Sequence, residues 1–194
     1  MKVAIVKYNA GNIMSVTYAL NRLGIDPLVS DDESVLKTAD RVIFPGVGEA
    51  STAMKYLRER GLDVVLKNLT QPFLGICLGM QLMGQFSEEG DTQCLGIFDT
   101  SIKKFRQTDK VPHMGWNQIS RFKSSLLKGI PENSYMYFVH SYYAQLSNET
   151  SSTCNYIEEF SAGLQKDNYH AFQFHPEKSG EIGSIILKNF IEIK

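Results

Sequence analysis

The sequence contains few cysteines, no long apolar run and no excess of charge of either sign. Three cysteines among 194 residues, without Cys-x-x-Cys spacing, speak against a disulfide framework and a zinc site. No stretch reaches the roughly 18 apolar residues of a membrane span, and the first apolar run is too short for a signal peptide. Twenty Lys and Arg against 21 Asp and Glu give a net charge of −1, which disfavours nucleic acid or membrane as a partner. We therefore expect a soluble cytoplasmic protein.

The first half of the chain alternates short apolar strands with amphipathic helices. Strands are predicted at residues 2–6, 26–29, 41–44 and 73–76. Apolar residues at helical spacing predict helices that end at Gly24 and Gly61, and a third helix over residues 78–85. Strands separated by helices indicate an α/β fold, with a mainly parallel central sheet flanked by helices.

The second half is richer in β structure. Short β-type runs are separated by turn residues, and they are centred on residues 97–98, 102, 119, 135–139, 154–157 and 171–174. A last helix is predicted to place Ile182, Ile185, Ile186 and Phe190 on one face that docks against the sheet. Since no repeat or linker interrupts the chain, we expect one domain over residues 1–194.

Cys77 is the candidate nucleophile. An apolar strand leads into a predicted helix at Cys77, with Gly75 and Gly79 two residues to either side, which is the spacing of a nucleophile elbow. The small neighbours allow a sharp turn, and the turn presents the side chain at the carboxyl edge of the sheet. The alternative is a small buried cysteine in an apolar run, and this structural role is the one we expect for Cys94 and Cys154.

His175 and Glu177 are the candidate base and orienting carboxylate. A predicted strand delivers His175 at its end, and Pro176 favours extended backbone before it. In extended chain Glu177 lies on the same side as His175, where a carboxylate fixes the tautomer of the ring. The alternative is a surface turn without a partner. His140 follows the apolar run at residues 137–139, and this position is typical of a histidine buried in the core.

A glycine-rich turn, PGVG at residues 45–48, follows the third predicted strand. It lies at the same edge of the sheet as Cys77 if the strands are parallel. Its glycines let a backbone N–H approach a ligand, so Val47 and Gly48 are candidate oxyanion donors together with the N–H of Leu78 at the start of the next helix. A phosphate loop is disfavoured, because the Walker Lys-Ser/Thr is missing. An ordinary tight turn is the alternative.

Taken together, GICLGMQ at residues 75–81, HPE at 175–177 and PGVG at 45–48 resemble the motifs of class I glutamine amidotransferases. Within that class, KVPHMGWN at 110–117, the Gly11-Asn12 turn and HPEKS at 175–179 resemble the glutaminase subunits of imidazole glycerol phosphate synthases. One departure stands at the amino terminus: the family commonly has an Asp-Tyr pair before the glycine turn, where this chain has KYNA at residues 7–10.

The resemblance implies the chemistry of glutamine hydrolysis. Cys77 attacks the side-chain amide to form a glutamyl thioester, His175 protonates ammonia and then activates water, and Glu177 orients His175. The substrate is held by Gly46, Gln81, Ser141 and Tyr142. No metal and no organic cofactor is required.

The resemblance also implies a partner. In this family the ammonia passes to a β/α-barrel cyclase subunit in a heterodimer, which makes imidazole glycerol phosphate and an aminoimidazole carboxamide ribotide during histidine biosynthesis. Asn12, His113, Trp116 and Lys178 are expected at or near the partner surface. The alternatives are a core position for Trp116 and a merely solvated Lys178. Because the glycine turn is flexible, we expect weak activity without the cyclase.

Three other functions stay open at this point. A glutaminase that serves anthranilate or pyridoxal phosphate synthesis is the nearest enzyme alternative, and KVPHMGWN at residues 110–117 argues against both. A non-catalytic binding subunit of the same fold is a second alternative. A cysteine hydrolase of the same sheet type, acting on another amide, is a third.

Overall fold

The computed structural model describes residues 1–9 and 12–193 and has an extended mixed sheet with helices on both faces. Gly11 of the predicted Gly11-Asn12 turn and Ala10 of the KYNA segment lie outside the described residues. The strands are β1 (Val3–Val6), β2 (Leu28–Ser30), β3 (Arg41–Gly46), β4 (Phe73–Cys77), β5 (Phe86–Ser87), β6 (Thr92–Gln93), β7 (Ser101–Lys104), β8 (His113–Ser120), β9 (Tyr135–His140), β10 (Tyr142–Ala144), β11 (Thr150–Tyr156), β12 (Glu158–Lys166) and β13 (Tyr169–Phe172).

The helices are α1 (Ile13–Arg22), α2 (Glu33–Thr38), α3 (Ala50–Glu59), α4 (Leu62–Lys67), α5 (Leu78–Leu82) and α6 (Gly180–Glu192). Two short 3₁₀ turns are at Ser125–Leu127 and Pro176–Lys178. In the part of the chain described here, no helix is long and apolar enough to cross a membrane.

The strand order is β2-β1-β3-β4-β13-β12-β10-β7-β5-β6, and β11 connects β12 to β8, which pairs with β9. The first five strands in this order are parallel, whereas most of the pairs beyond β13 are antiparallel. The predicted fold class is confirmed, because four of the five parallel strands come from the first half of the chain and most of the additional β structure comes from the second.

The central strands are buried on both faces. Along β1, Ala4 and Val6 pack into one hydrophobic cluster with α2, α3 and α4, whereas Val3 and Ile5 pack into a second cluster with α1 and α6. This alternation follows from the two-residue period of a strand. The sheet is thus held rigidly between two helical layers, which fixes the positions of its strand ends.

The carboxyl ends of three parallel strands meet at one edge. Gly46 at the end of β3 lies in register with Cys77 at the end of β4, and β13 pairs with β4 on the other side. The two residues after β13 lead directly to His175. Parallel register therefore brings together three segments that are far apart in sequence.

Two predicted elements around residues 78–98 differ from the structure. Helix α5 ends at Leu82 rather than at residue 85, because Gln85 N donates to the Thr100 carbonyl at 2.9 Å instead of continuing the helix. Residues 97–98 are not a strand. The N–H groups of Ile97 and Phe98 both donate to the Met83 carbonyl at 2.9 Å, so this loop caps the end of α5.

Two short helices were missed, and one helix face was predicted incorrectly. The missed helices are α2 and α4. Gly61 stops α3 as predicted, because its backbone is left-handed (φ 67°) and its N–H donates to the Arg58 carbonyl at 3.0 Å, and α4 begins directly after it at Leu62. On α6, Ile185 is exposed, because the buried face is formed by Ile186, Leu187 and Phe190. The first predicted helix ends as expected, at Arg22, with Gly24 in the left-handed region (φ 77°).

Candidate active site

Cys77 occupies a strained turn between β4 and α5. Its backbone has φ 55° and ψ −112°, a region that residues with a side chain rarely adopt and that costs about 1–3 kcal/mol. A Cβ at Gly79 would lie 1.8 Å from the Phe44 carbonyl oxygen, and one at Gly75 would lie 2.5 Å from the Met83 sulfur. The predicted need for small residues on both sides of the elbow is therefore confirmed.

His175 and Glu177 form a buried pair. His175 Nδ1 lies 2.8 Å from Glu177 Oε1, and the two side chains are only 3% and 1% exposed. Asn12 Nδ2 donates to the same carboxylate oxygen at 3.4 Å. The backbone N–H of His175 donates to the Tyr137 carbonyl at 2.9 Å, which fixes the backbone from which the imidazole ring extends. With Nδ1 engaged by the carboxylate, Nε2 is left for the sulfur of Cys77.

The charge state of His175 is set by these neighbours. Burial of the ring lowers its pKa, but the charge and the hydrogen bond of the Cys77 sulfur, together with the Glu177 carboxylate, outweigh burial and raise the pKa to about 10. The site thus favours the imidazolium form of His175 at neutral pH. A thiolate is the nucleophilic form of cysteine, and an imidazolium is a ready proton donor.

Cys77 and His175 line a cavity of about 350 Å³, a size suited to a small ligand. Its lining includes eight of the site residues predicted from the sequence, which are Val47, Gly48, Cys77, Leu78, Gln81, Ser141, Tyr142 and His175. Lys178, predicted at the partner surface, also lines this cavity and is exposed to solvent.

Gln81 is held from two sides. Its amide nitrogen donates to the Tyr142 carbonyl at 2.9 Å and to Gln173 Oε1 at 2.8 Å, so both N–H groups are used within the chain. Gln173 in turn directs its own amide nitrogen at the Cys77 sulfur, at 3.7 Å. Gln81 therefore offers a bound molecule only its carbonyl oxygen, as a hydrogen-bond acceptor.

The glycine turn is shaped by Tyr8. The Tyr8 hydroxyl donates to the Pro45 carbonyl at 2.7 Å, and a Cβ at Gly46 would lie 2.2 Å from that hydroxyl. Gly46 is packed behind the cavity and is not part of its lining, so the structure gives it a packing role. Gly48 has φ 114°, a conformation that favours glycine, and it is exposed at the cavity together with Val47.

Glu89 and Tyr8 are two polar residues at or behind the cavity that were not predicted as site residues from the sequence. Glu89 lies in the turn between β5 and β6 and lines the cavity, and one of its carboxylate oxygens accepts from Ala50 N at 2.8 Å. Burial raises the pKa of Glu89, and the nearby Glu49 carboxylate adds to this effect. Tyr8 is the other, and its pKa is raised by burial and by the charge of Cys77. Glu89 lies outside the motifs found in the sequence, whereas Tyr8 belongs to the KYNA segment at residues 7–10.

The residues predicted at a partner surface differ in their exposure to solvent. Trp116 is 55% exposed on β8, and its ring contacts Tyr137 edge to face at 5.9 Å. His113 is only 4% exposed, because its ring is stacked between Tyr156 and Phe138 at 4.0 and 4.8 Å. The His113 side chain therefore offers little surface to a partner, and the position of this residue near the partner surface stays a prediction.

The other two thiols lie in unreactive surroundings. Cys94 and Cys154 are buried and free, and burial raises the pKa of each to about 12. This agrees with the structural role predicted for them. Within the described residues, no group of three or more His, Cys, Asp or Glu side chains is arranged to hold a metal ion.

Comparison with known proteins agrees with the fold. The family model described as glutamine amidotransferase class I matches residues 5–193. A crystal structure of a glutamine amidotransferase superposes with a TM-score of 0.76 at 18% identity, covering 97% of each chain. The chain belongs to the class I glutamine amidotransferase family.

Curated relatives within this family are much more similar in sequence. The chain is 60% identical to the imidazole glycerol phosphate synthase subunit HisH of Bacteroides fragilis, and the match covers 100% of both chains. It is 55% identical, again over 100% of both chains, to the subunit of the same name from Bacteroides thetaiotaomicron.

Proposed function

We propose that this chain is the glutaminase subunit of an imidazole glycerol phosphate synthase and acts in histidine biosynthesis. The observation that carries the proposal is the strained Cys77 facing the buried His175–Glu177 pair across one cavity. The same chain is 60% identical, over its full length, to the imidazole glycerol phosphate synthase subunit HisH of Bacteroides fragilis.

The reaction begins with the Cys77 thiolate. The sulfur attacks the side-chain amide carbon of glutamine, and the carbonyl electron pair moves onto oxygen to give a tetrahedral oxyanion. As the oxyanion collapses, the C–N bond breaks and the His175 imidazolium donates its proton to nitrogen, so that ammonia leaves and a glutamyl thioester remains. Neutral His175 then takes a proton from water, which attacks the thioester and releases glutamate. Glu177 holds the ring in one tautomer throughout.

Backbone amides stabilise the oxyanion. The N–H of Leu78 is one of the free donors in the first turn of α5, directly after the nucleophile. Val47 and Gly48, which line the same cavity, supply the second donor. Removal of one such donor typically costs about 10²–10³ in turnover, so the orientation of this turn controls the rate.

The cavity provides complementary groups for the amino-acid end of glutamine. The Gln81 carbonyl oxygen and the free oxygen of Glu89 are acceptors suited to the α-ammonium group. The backbone at Ser141 and Tyr142 lies beside them and suits the α-carboxylate. Gly46 contributes by keeping the glycine turn closely packed on Tyr8.

The partner is a β/α-barrel cyclase subunit that receives the ammonia within a heterodimer. The surface we assign to it is the exposed side of the β8–β9 pair, with Met114, Trp116 and Tyr135 each more than half exposed. Large apolar side chains grouped on one exposed strand pair are typical of a protein interface. Asn12 and the exposed Lys178, near the triad and the cavity, extend this surface. We assign the reaction to the cytoplasm.

The proposal is tested by glutamate release from glutamine, measured for the chain alone and mixed with the cyclase subunit and its nucleotide ligand. We expect strong stimulation by the liganded cyclase. Cys77→Ala should abolish glutamate release and preserve both cyclase binding and synthesis from added ammonium. No release in either mixture would refute the proposed function.

A further inference from the structure

Two buried histidines outside the triad are joined end to end. His113 Nδ1 lies 2.9 Å from His140 Nε2, and His140 Nδ1 lies 2.7 Å from the Tyr142 carbonyl oxygen. At the other end, Asn117 Nδ2 lies 3.2 Å from His113 Nε2. The contacts form an unbroken series from β8 to the bend between β9 and β10.

The direction of every hydrogen bond in this series is determined. A carbonyl oxygen only accepts, so the proton of neutral His140 must be on Nδ1, and its Nε2 must accept. The proton of His113 is therefore on Nδ1 as well, and its Nε2 accepts from Asn117. The amide of Asn117 is oriented independently, since Nδ2 also donates to the Asn155 carbonyl and Oδ1 accepts from Gln118 N.

The surroundings keep both rings neutral and immobile. His113 is stacked on Tyr156, and His140 packs against Phe105 and Phe160 with ring centroids 5.3 and 5.2 Å away. Burial lowers the pKa of His113 to about 4 and that of His140 to about 3. In such surroundings a hydrogen bond that is left unmade is costly, because water does not replace it.

The series ends at a wall of the candidate active site. The Tyr142 carbonyl accepts from both His140 Nδ1 and Gln81 Nε2, which occupies both of its lone pairs. Ser141 and Tyr142 line the cavity, and Ser141 is the single residue between β9 and β10. Fixing this carbonyl therefore fixes the backbone of a bend that faces the substrate.

We propose that His113 and His140 are positioning residues that hold the bend at Ser141 and Tyr142 in its substrate-binding conformation through a one-way hydrogen-bond chain from Asn117. The proposal rests on the proposed function to the extent that the bound substrate is glutamine. His140 also lines the cavity, but both of its ring nitrogens are engaged, by the Tyr142 carbonyl and by His113, so we assign no proton transfer to it. Their effect is on the affinity of the bend for the amino-acid end of glutamine.

A matched pair of variants at His140 separates positioning from packing. Leu and Asn have similar size and both remove the ring, but Asn keeps an N–H donor near the place of Nδ1. In the complex with the cyclase, we expect His140→Leu to raise the KM for glutamine about ten-fold, the effect of one lost buried hydrogen bond, with a smaller change in kcat. His140→Asn should stay within about three-fold of the native KM, because the Tyr142 carbonyl keeps its donor.

The same comparison applies to His113. His113→Leu removes the donor to His140 Nε2, whereas His113→Asn keeps it, so the Leu variant should show the larger rise in KM. Equal effects of Leu and Asn at both positions would overturn the proposal, since loss of ring packing alone would then explain them. An unchanged KM in all four variants would overturn it as well.

A spectroscopic measurement tests the chain without any substitution. The ¹⁵N NMR signals of the two imidazoles should show a proton on Nδ1 and none on Nε2 in both rings of the native protein. A proton on Nε2 of His140 would refute the proposal, even if a Leu variant fails to fold. This result is independent of catalysis, so it remains decisive if the native complex does not hydrolyse glutamine and the proposed function fails.

Discussion

Replacement of Cys77 by Ala is predicted to lower the pKa of His175. In the native chain, burial lowers this pKa, and the Cys77 sulfur and the Glu177 carboxylate together raise it to about 10. Ala removes the sulfur together with its charge and hydrogen bond. Burial is then opposed by Glu177 alone, at an Nδ1–Oε1 distance of 2.8 Å.

The expected size of the effect follows from the native value. A rise from 6.5 to about 10 corresponds to roughly 5 kcal/mol in favour of the imidazolium. An opposite charge within hydrogen-bond reach typically accounts for about 1–3 pKa units, so the pKa of His175 should fall by about that amount in Cys77→Ala. Cys94→Ala is the matched control, since this buried thiol is not among the groups that shift the pKa of His175.

NMR titration of the imidazole signals measures this directly. The chain has four histidines, and burial lowers the pKa of His113, His140 and His170 to about 4, 3 and 4. Above about pH 6 only the signal of His175 should therefore move. A native His175 that titrates near 6.5, or an unchanged midpoint in Cys77→Ala, would refute the reasoning.

The same shift makes stability depend on pH. Because the folded pKa of His175 lies above its unfolded value of 6.5, its contribution to stability is fully present below pH 6.5 and is lost as the pH rises through about 10. In Cys77→Ala the folded pKa of His175 is lower, so this contribution to stability should be lost at a correspondingly lower pH. Denaturant unfolding at a series of pH values checks the sign.

Three further predictions concern substrate binding, the elbow and thiol reactivity. Glu89→Gln should raise the KM for glutamine about ten-fold or more, because a hydrogen bond to a charged group is weakened, and a steady-state assay with unchanged KM would contradict this. Gly79→Ala should destabilise the fold by about 1–3 kcal/mol or more, because its Cβ would lie 1.8 Å from the Phe44 carbonyl oxygen, as measured by denaturant unfolding. Iodoacetamide should label Cys77 alone near neutral pH, since the pKa of each of the two remaining thiols is raised to about 12, and peptide mapping would expose labelling elsewhere.

The sequence allowed the catalytic edge of the sheet to be predicted because its signals are local. The elbow glycines around Cys77 and the extended segment before His175 each specify a strand end. Parallel strands place their carboxyl ends at one edge, so the fold class alone brings these segments together. The sequence predicted the contact between His175 and Glu177 from the two-residue period of extended chain, but Pro176–Lys178 forms a 3₁₀ turn, and this turn brings the two side chains to 2.8 Å.

What the sequence did not predict depends on tertiary contacts. Glu89 reaches the cavity from a short turn between β5 and β6, and no periodicity marks its orientation. The apolar residues 97–98 fit a strand pattern, but their N–H groups cap α5 instead. His113 lies in the KVPHMGWN segment and was expected at or near the partner surface. Only the packing of Tyr156 and Phe138 around its ring shows that the ring is buried.

The measurement that tests the central claim most directly is acid quenching of the complex with cyclase during glutamine turnover, followed by peptide mass spectrometry. We expect one glutamyl group on the Cys77 peptide, and none in Cys77→Ala. Glutamate release without any acyl group on Cys77, in samples quenched during turnover, would contradict it.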